Sequence, residues 1–560
     1  MAVQPFLPFG VGDALSRSAV ADSPPGSPES SAAPAPSASA PSPPSAARGV
    51  SRLIEELGRI CAELPLEEKI LVVPSLAIGH QTIERLALAG HRPVHLRVET
   101  VRNLAHATVG PAISREGRRL LSRAQSLALI EQACGETLVA GSYFGPLGDR
   151  PGFHRALAGT FDELKAAGLS PGALPEAAFA DPRKPRELRT ILLRYETALE
   201  KGHWIDRAEV LRRAAEAVDA RPPRKGALFL LPEGSDLTTV ERRFLERLAA
   251  GRLTPVPTDP PETWTDNAAR SRIFRAIGEE NEIRAVFRTL LESGTPFDEA
   301  EVLHTDPATY PALAFELAAE HGIPCTFSGG IAAAFTRPGQ AALAFLRWIG
   351  GGFEADALRE ALASGLLTFP KGEGGPATGP MAAARELRRA RVGWGRDRHL
   401  SALDRHVAEI EALPQRDEEE DEAAGRPTRR ERRIAATRAA RAFVARALDL
   451  APAASAVDLA SLSRGTREFV SEFARVTGDL DATSQSALST LFEEFESLPG
   501  EPVPRERAVE RLSDAVLALH VAPDRPRPGR LHFAEYRSGG FSGRRQTFLI
   551  GFDEKRHPGG

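Results

Sequence analysis

Apolar positions along this chain follow two periods. Short unbroken apolar runs, each closed by a turn, are separated by long stretches in which apolar residues recur every three to four positions. The first run is Ile70 to Val73 in "KILVVPSLAIGHQTIERL", and its continuity predicts a buried parallel strand. A helix follows, with apolar residues at Ile83, Leu86 and Leu88. "PVHLRVETVRNLA" repeats the unit as a strand leading into a helix that Thr100 can cap through its hydroxyl. Upstream, "VSRLIEELGRICAEL" from Val50 reads as an amphipathic helix. From Ser114 to about Ala220 the period is helical with no convincing strand, and "KGALFLLPEG" (Lys225 to Gly234) returns to the buried-strand pattern.

The second half repeats this order. "RSRIFRAIGEENEIRAVFRTLLESG" opens it, and "AEVLHTD", "YPALAFELAAEHGIP" and "CTFSGG" read as strand, helix and strand. A helical block runs from about Gln340 to Leu519, and it carries the charge run "RDEEEDEAAGRPTRRERR", read as a solvated loop or helix end. Strand patterns resume in "GRLHFAEYRSGGFSGRRQTFLIGFDEKRHPGG", where Phe548 to Ile550 suit a strand buried on both faces. The expected fold class is α/β, with two parallel-sheet regions that each carry a large helical insertion.

Composition adds bounds. The chain has 560 residues, 42% hydrophobic and 26% charged, which suits a globular protein of two to four domains. Ser16 to Arg48 is nearly all Pro, Ala, Ser and Gly and is expected to be a disordered tail. No apolar run approaches the roughly 18 residues of a membrane span, and no secretory signal opens the chain. The expectation is a cytoplasmic protein without a membrane partner. Cys61, Cys134 and Cys325 have no CxxC spacing and are expected to be buried free thiols. The net charge of −4 advertises no nucleic-acid binding, although 71 Lys and Arg leave room for a locally basic groove.

Several sharper chemistries find little support. His80, His91 and His95 straddle a turn and a strand, without metal-ligand spacing. Ser75 lacks a Gly-x-Ser-x-Gly elbow. "GEEN" (Gly278 to Asn281) reads as a solvated helix start rather than an acid/base pair. Pro523-Asp524 with Asp553-Glu554-Lys555 has the spacing of a PD-(D/E)xK nuclease, whose carboxylates hold Mg²⁺. "RPRPGR" after Asp524 is a poor strand, however, because proline removes ladder donors.

The order of elements, with these local sequences, resembles the AddB/RexB-type subunit of bacterial ATP-dependent helicase–nucleases. "ILVVPS" with its Gln-containing helix, "LRVETVRNLA", "ISREGRRLLSRAQSLALIEQA" and "TFLIGFDEKRHPGG" are similar to successive elements of that family. The segment from "RAIGEENEIRAVF" to "AAEHGIP" is the most specific match. The resemblance implies a degenerate superfamily 1 helicase architecture with two RecA-like domains. The first would span 50–265, with its insertion at about 114–220. The second would comprise 266–339 and 520–560, with its insertion at about 340–519, after a tail over 1–49.

It also implies a DNA-binding or scaffolding subunit in double-strand break repair and recombination. The partners would be single- or double-stranded DNA and a catalytic helicase–nuclease subunit. The family's phosphate loop is missing: no GxxxxGK[ST] occurs, only Glu233 and Asp236 remain near the acidic strand, and "RSGGFSGRRQTF" stands where "K-G-L-E-F" is usual. The expectation is therefore a chain inactive toward ATP, with no catalytic, nucleotide-binding or metal residues and no cofactor of its own. A full-length family member would also carry a nuclease, so a fragment of such a subunit and a protein scaffold without DNA contact are the alternatives. Loops at strand ends in a helicase-like core face the DNA track, which makes Arg97, Thr100, Arg102, Arg115, Arg118 and Arg119 the candidate DNA contacts. The alternative for each arginine is a solvated helix face.

Overall fold

The computed structural model describes residues 51–220, 226–258, 271–369, 378–413, 427–498, 500, 502–539 and 542–553. The expected tail, the acidic part of the charge run, the 265/266 boundary and Glu554-Lys555 lie outside the described residues. Four strands, β1 (Lys69–Val72), β2 (Leu96–Glu99), β3 (Leu228–Pro232) and β4 (Leu253–Val256), form a parallel sheet in the order β2-β1-β3-β4. Four more, β5 (Ala300–His304), β6 (Cys325–Phe327), β7 (Leu531–Glu535) and β8 (Gln546–Ile550), form a second parallel sheet in the order β8-β5-β7-β6. The chain is an α/β protein with two parallel four-strand sheets among many helices.

Burial follows the sequence pattern at the centre of each sheet. All four residues of β1 are buried, and all five of β5. The helix Arg52–Glu63 is capped by Ser51, whose hydroxyl accepts from the Ile54 amide, and it lays Ile54, Leu57 and Ile60 against Leu71 and Leu230. One strand was not expected, and one strand expectation needs correction. β4 gave no strand signal because of Pro255, but it is an edge strand, where the missing N–H costs no ladder bond. β8 is an edge strand too, so it is not buried on both faces: Ile550 is 1% exposed and Leu549 53%.

Two long helical excursions leave the sheets and return. Between β2 and β3 run the helices Val101–Arg115, Arg123–Thr137, Pro151–Ala166, Arg183–Lys201 and Arg207–Ala220. This stretch also contains a short parallel pair, Arg119–Leu120 with Trp204–Ile205, where no strand was expected. Two-residue strands carry too little pattern to be read from sequence. Between β6 and β7 lies a larger block, from the helix Arg337–Gly350 to the helix Arg505–Ala518. The two blocks share one core, in which Leu129, Ile191 and Tyr195 from the first join Phe345, Trp348 and Phe469 from the second. Polar contacts cross the same boundary: Gln125 Nε2 donates to the Glu494 carbonyl at 2.9 Å, and Arg507 Nε to Glu131 Oε1 at 2.5 Å.

The sheets themselves meet through a polar seam. The helix Leu76–Leu88 after β1 faces the strap between β7 and β8. Gln81 Nε2 donates to the Ser538 carbonyl at 3.4 Å, and Arg544 Nη2 lies 3.7 Å from Glu84. Gly543 has φ +64°, and a Cβ there would come within 2.7 Å of the Arg85 side chain. The strap thus favours glycine at this position for its conformation.

Candidate nucleic-acid interface

In open parallel sheets, ligands gather at the carboxyl ends of the strands where the strand order reverses. In the first sheet that crevice lies between β1 and β3. The turn leaving β1 is Val73-Pro74-Ser75, and Ser75 spends its hydroxyl capping the next helix through the Ile78 amide at 3.3 Å. No glycine or lysine stands in this turn to cradle or neutralise a phosphate. Glu233 and Asp236, after β3, are exposed.

The six candidate contacts separate. Thr100 caps the helix Val101–Arg115, accepting from the Asn103 amide at 3.1 Å, and Arg102 stands in that helix's first turn. Arg97 lies within β2, with Glu68 and Glu99 at 3.6 and 3.7 Å. Arg115 closes the same helix, fourteen rises of about 1.5 Å from its start, and donates to the Pro111 carbonyl at 3.1 Å. Arg118 is held by Glu200 at 2.7 Å and Glu116 at 3.3 Å, so its charge is compensated within the protein. Arg119 is exposed on the short strand beside Trp204.

Arg102 instead finds two partners that the sequence did not mark. The pairing of Leu120 with Ile205, extended by the Leu121 amide donating to the Ile205 carbonyl at 2.9 Å, sets two helix starts side by side. Arg123 opens one helix and Arg207 the other. The Arg207 guanidinium is held below its usual range by burial, then by the positive charge of Arg102, with Asp162 opposing and Arg123 adding to the depression. None of the three arginines makes a side-chain hydrogen bond or ion pair among the described residues. Arginine in a first helical turn opposes the helix dipole, at about 0.3–1 kcal/mol each. Three helix starts and three guanidinium groups, faced by the single carboxylate of Asp162, together form an electropositive corner. The one sequence signal for Arg123 and Arg207 was a basic residue where an acidic one is usual.

Arg123 also stands on the wall of a cavity of about 1090 Å³ between the two helical blocks. The wall is of mixed sign: Glu506, Glu510 and Asp514 follow one another at four-residue steps along one helix and Glu494 lies on another, beside Arg155, Arg507 and Arg511. Glu131 is engaged by Arg507 and Arg511. Burial alone would raise the Glu131 carboxyl, but its bonds to Arg511 and then Arg507 hold it below the usual range.

Remaining candidates are structural. His80 and His95 are exposed and His91 is half-buried. Among the described residues no group of three or more His, Cys, Asp or Glu could hold a metal ion. Asp524 accepts from the Arg525 amide at 2.8 Å and pairs with Arg527 at 3.0 Å. Cys61 and Cys134 are buried free thiols, whereas Cys325 is half-buried on the short strand β6. No described helix is long and apolar enough to cross a membrane. In comparisons with known proteins, no protein-family model and no curated protein matches this chain.

Proposed function

We propose that the chain is a helicase-like, ATPase-inactive subunit that binds DNA and scaffolds a catalytic helicase–nuclease partner in cytoplasmic double-strand break repair and recombination. The observation that carries this reading is the architecture: two parallel four-strand sheets, each interrupted by a helical excursion, with both excursions packed into one core. That plan agrees with the RecA-like pair implied by the AddB/RexB resemblance. The absence of any GxxxxGK[ST] from the sequence agrees with loss of the motor chemistry, because phosphoryl transfer depends on amides and a cation placed at the phosphates. The corner formed by Arg102, Arg123 and Arg207 is the DNA contact we assign to this scaffold.

Two measurements on the full chain test the reading. Labelled single-stranded DNA should bind with an affinity that falls steeply with salt, and Arg102→Ala/Arg123→Ala/Arg207→Ala should lower the log–log salt slope by about 2. ATP turnover should stay at background with and without DNA. Absence of any salt-sensitive DNA binding would favour a protein scaffold, and motor-like ATP hydrolysis would sink the inactive assignment.

A further inference from the structure

A second basic surface lies far along the chain, in the block between β6 and β7. The helices Pro380–Arg389 and Arg398–Glu411, joined by a short turn as a hairpin, both pack on the helix Arg429–Leu450 and touch where Glu386 Oε2 meets His406 Nε2 at 2.9 Å. Both partners are buried, and Arg433 approaches the same carboxylate at 3.3 Å. The hairpin's acids are largely spent inward or sideways: Glu386 here, Asp404 on Arg441, Glu411 on Arg438. Arg389 pairs with Glu386 and Arg396 donates to the Ala451 and Leu448 carbonyls, but five other arginines are not spent. Arg385, Arg388, Arg391, Arg398 and Arg405 are exposed, and none makes a hydrogen bond or ion pair among the described residues. Asp397 and Glu409 are the exposed acids beside them.

An aromatic stands in the same hairpin. Trp394, in the turn, is 66% exposed, and the Arg398 guanidinium lies over its ring at 4.9 Å. Large exposed aromatics and unpaired arginines each carry a cost in a free surface, the first in apolar hydration and the second in mutual repulsion. Together they match a ligand with a regular negative backbone and flat, stackable faces. A single strand of nucleic acid has both, whereas a duplex hides its base faces and a lipid headgroup offers no face to stack on.

We propose that this hairpin is a single-strand nucleic-acid platform, with Arg385, Arg388, Arg391, Arg398 and Arg405 on phosphates and Trp394 stacking on a base. The inference takes its ligand class from the DNA-binding reading above but rests on residues outside the Arg102 corner. The test uses the full chain and fluorescent thirty-nucleotide oligo-dT and oligo-U, titrated across a salt series. Substituting all five arginines by alanine should lower affinity at least about tenfold and reduce the log–log salt slope by about 3.5. The five-lysine variant should keep the slope. Trp394→Ala should weaken binding about fivefold or more with the slope unchanged. All are surface changes, and an unaltered unfolding transition checks the fold. If the wild-type chain binds and the five-alanine variant binds equally with the same slope, this platform is wrong while the DNA reading stands. If the wild-type chain binds neither oligonucleotide, both fall. Binding to vesicles of phosphatidylserine and phosphatidylcholine without binding to either oligonucleotide would overturn the platform in favour of a membrane surface. Comparing oligo-dT with oligo-U separates a DNA platform from an RNA one.

Discussion

Glu301 and His532 stand side by side on β5 and β7, in register and on the same face of the second sheet, each only 1% exposed. The row extends outward on both sides. Thr547 donates to Glu301 Oε1 at 3.0 Å, and Thr326 Oγ1 lies 2.9 Å from His532 Nδ1. Glu301 Oε2 and His532 Nε2, the two atoms left over, have no partner among the described residues. Burial, then the positive charge of Arg544, pushes His532 down to about 3, and burial pushes His304 on the same strand as Glu301 down to about 4. Burial raises Glu301 instead, against its bonds to Ser542 and Thr547.

These shifts have opposite signs for stability. A histidine kept neutral by folding supports the fold fully above its unfolded value of about 6.5, and loses that support as pH falls toward the folded value, at about 1.4 kcal/mol per pH unit. The raised Glu301 works the other way, favouring the fold at low pH and losing its contribution as pH rises. Between pH 6 and 5 the chain should therefore lose stability, and His532→Gln should make that loss shallower by about 1.4 kcal/mol per unit. Urea unfolding at several pH values measures this. Parallel curves for the two chains would show that His532 titrates normally.

Glu131 carries the boundary between the helical blocks. Its side chain is 11% exposed and engages Arg507 and Arg511, which are 27% and 15% exposed. Removing the carboxylate leaves two guanidinium groups partly desolvated without an acceptor. Glu131→Ala should cost about 2–3 kcal/mol, less than the roughly 3–5 for a fully buried pair, because water still reaches Arg507. Glu131→Gln should cost less, since the amide oxygen still accepts. A loss below about 0.5 kcal/mol in chemical denaturation would mean that the blocks are held by apolar packing alone.

How much of this was legible depended on range. β1, β5 and the Thr100 cap rest on a few adjacent residues, and the pattern sufficed. Pro255 hid β4, because sequence does not say which strand lies at an edge. Leu549 reads as core but faces outward for the same reason. The Arg102 corner needed the Leu120–Ile205 pairing, which joins residues 85 positions apart through strands only two residues long. Glu301 and His532 were visible only as polar residues inside apolar runs, and their alignment depends on register across strands more than two hundred residues apart.

Close packing of the larger block makes a sharp steric prediction. Gly465 lies in the helix Leu459–Phe473, and a Cβ there would sit 2.0 Å from the Leu450 carbonyl oxygen at the end of the neighbouring helix Arg429–Leu450. Backbone cannot swing aside as a side-chain tip can. Gly465→Ala should cost about 3 kcal/mol or more. Gly135, in the helix Arg123–Thr137, has open space where its Cβ would go. Gly135→Ala should instead stabilise by about 0.5–1 kcal/mol through helix propensity. Equal effects of the two substitutions in denaturant titrations would refute the close helix contact.

The edge position of β8 sets the consequence of losing it. A chain ending at residue 545 would keep Arg544 and the strap but remove the partner of Ala300–His304 on one side. It would strip Phe548 and the 1%-exposed Ile550 from the core over the helices Glu279–Ser293 and Tyr310–His321. Full burial of such a side chain is worth about 1.5–3 kcal/mol and Phe548 is half-buried, so the loss is about 2–5 kcal/mol before the ladder bonds are counted. The truncation also removes the Gly551 amide, which donates to Glu282 Oε2 at 3.2 Å, and the Gly551 carbonyl, which accepts from Thr305 Oγ1 at 2.7 Å. A typical margin of about 5–15 kcal/mol would be largely consumed, and a new unpaired edge would be exposed on the central strand β5. The truncated chain should aggregate on expression or unfold in a separate, earlier transition, while the helical core persists by circular dichroism. A soluble truncated chain with a single unchanged transition would show that the second sheet does not depend on β8.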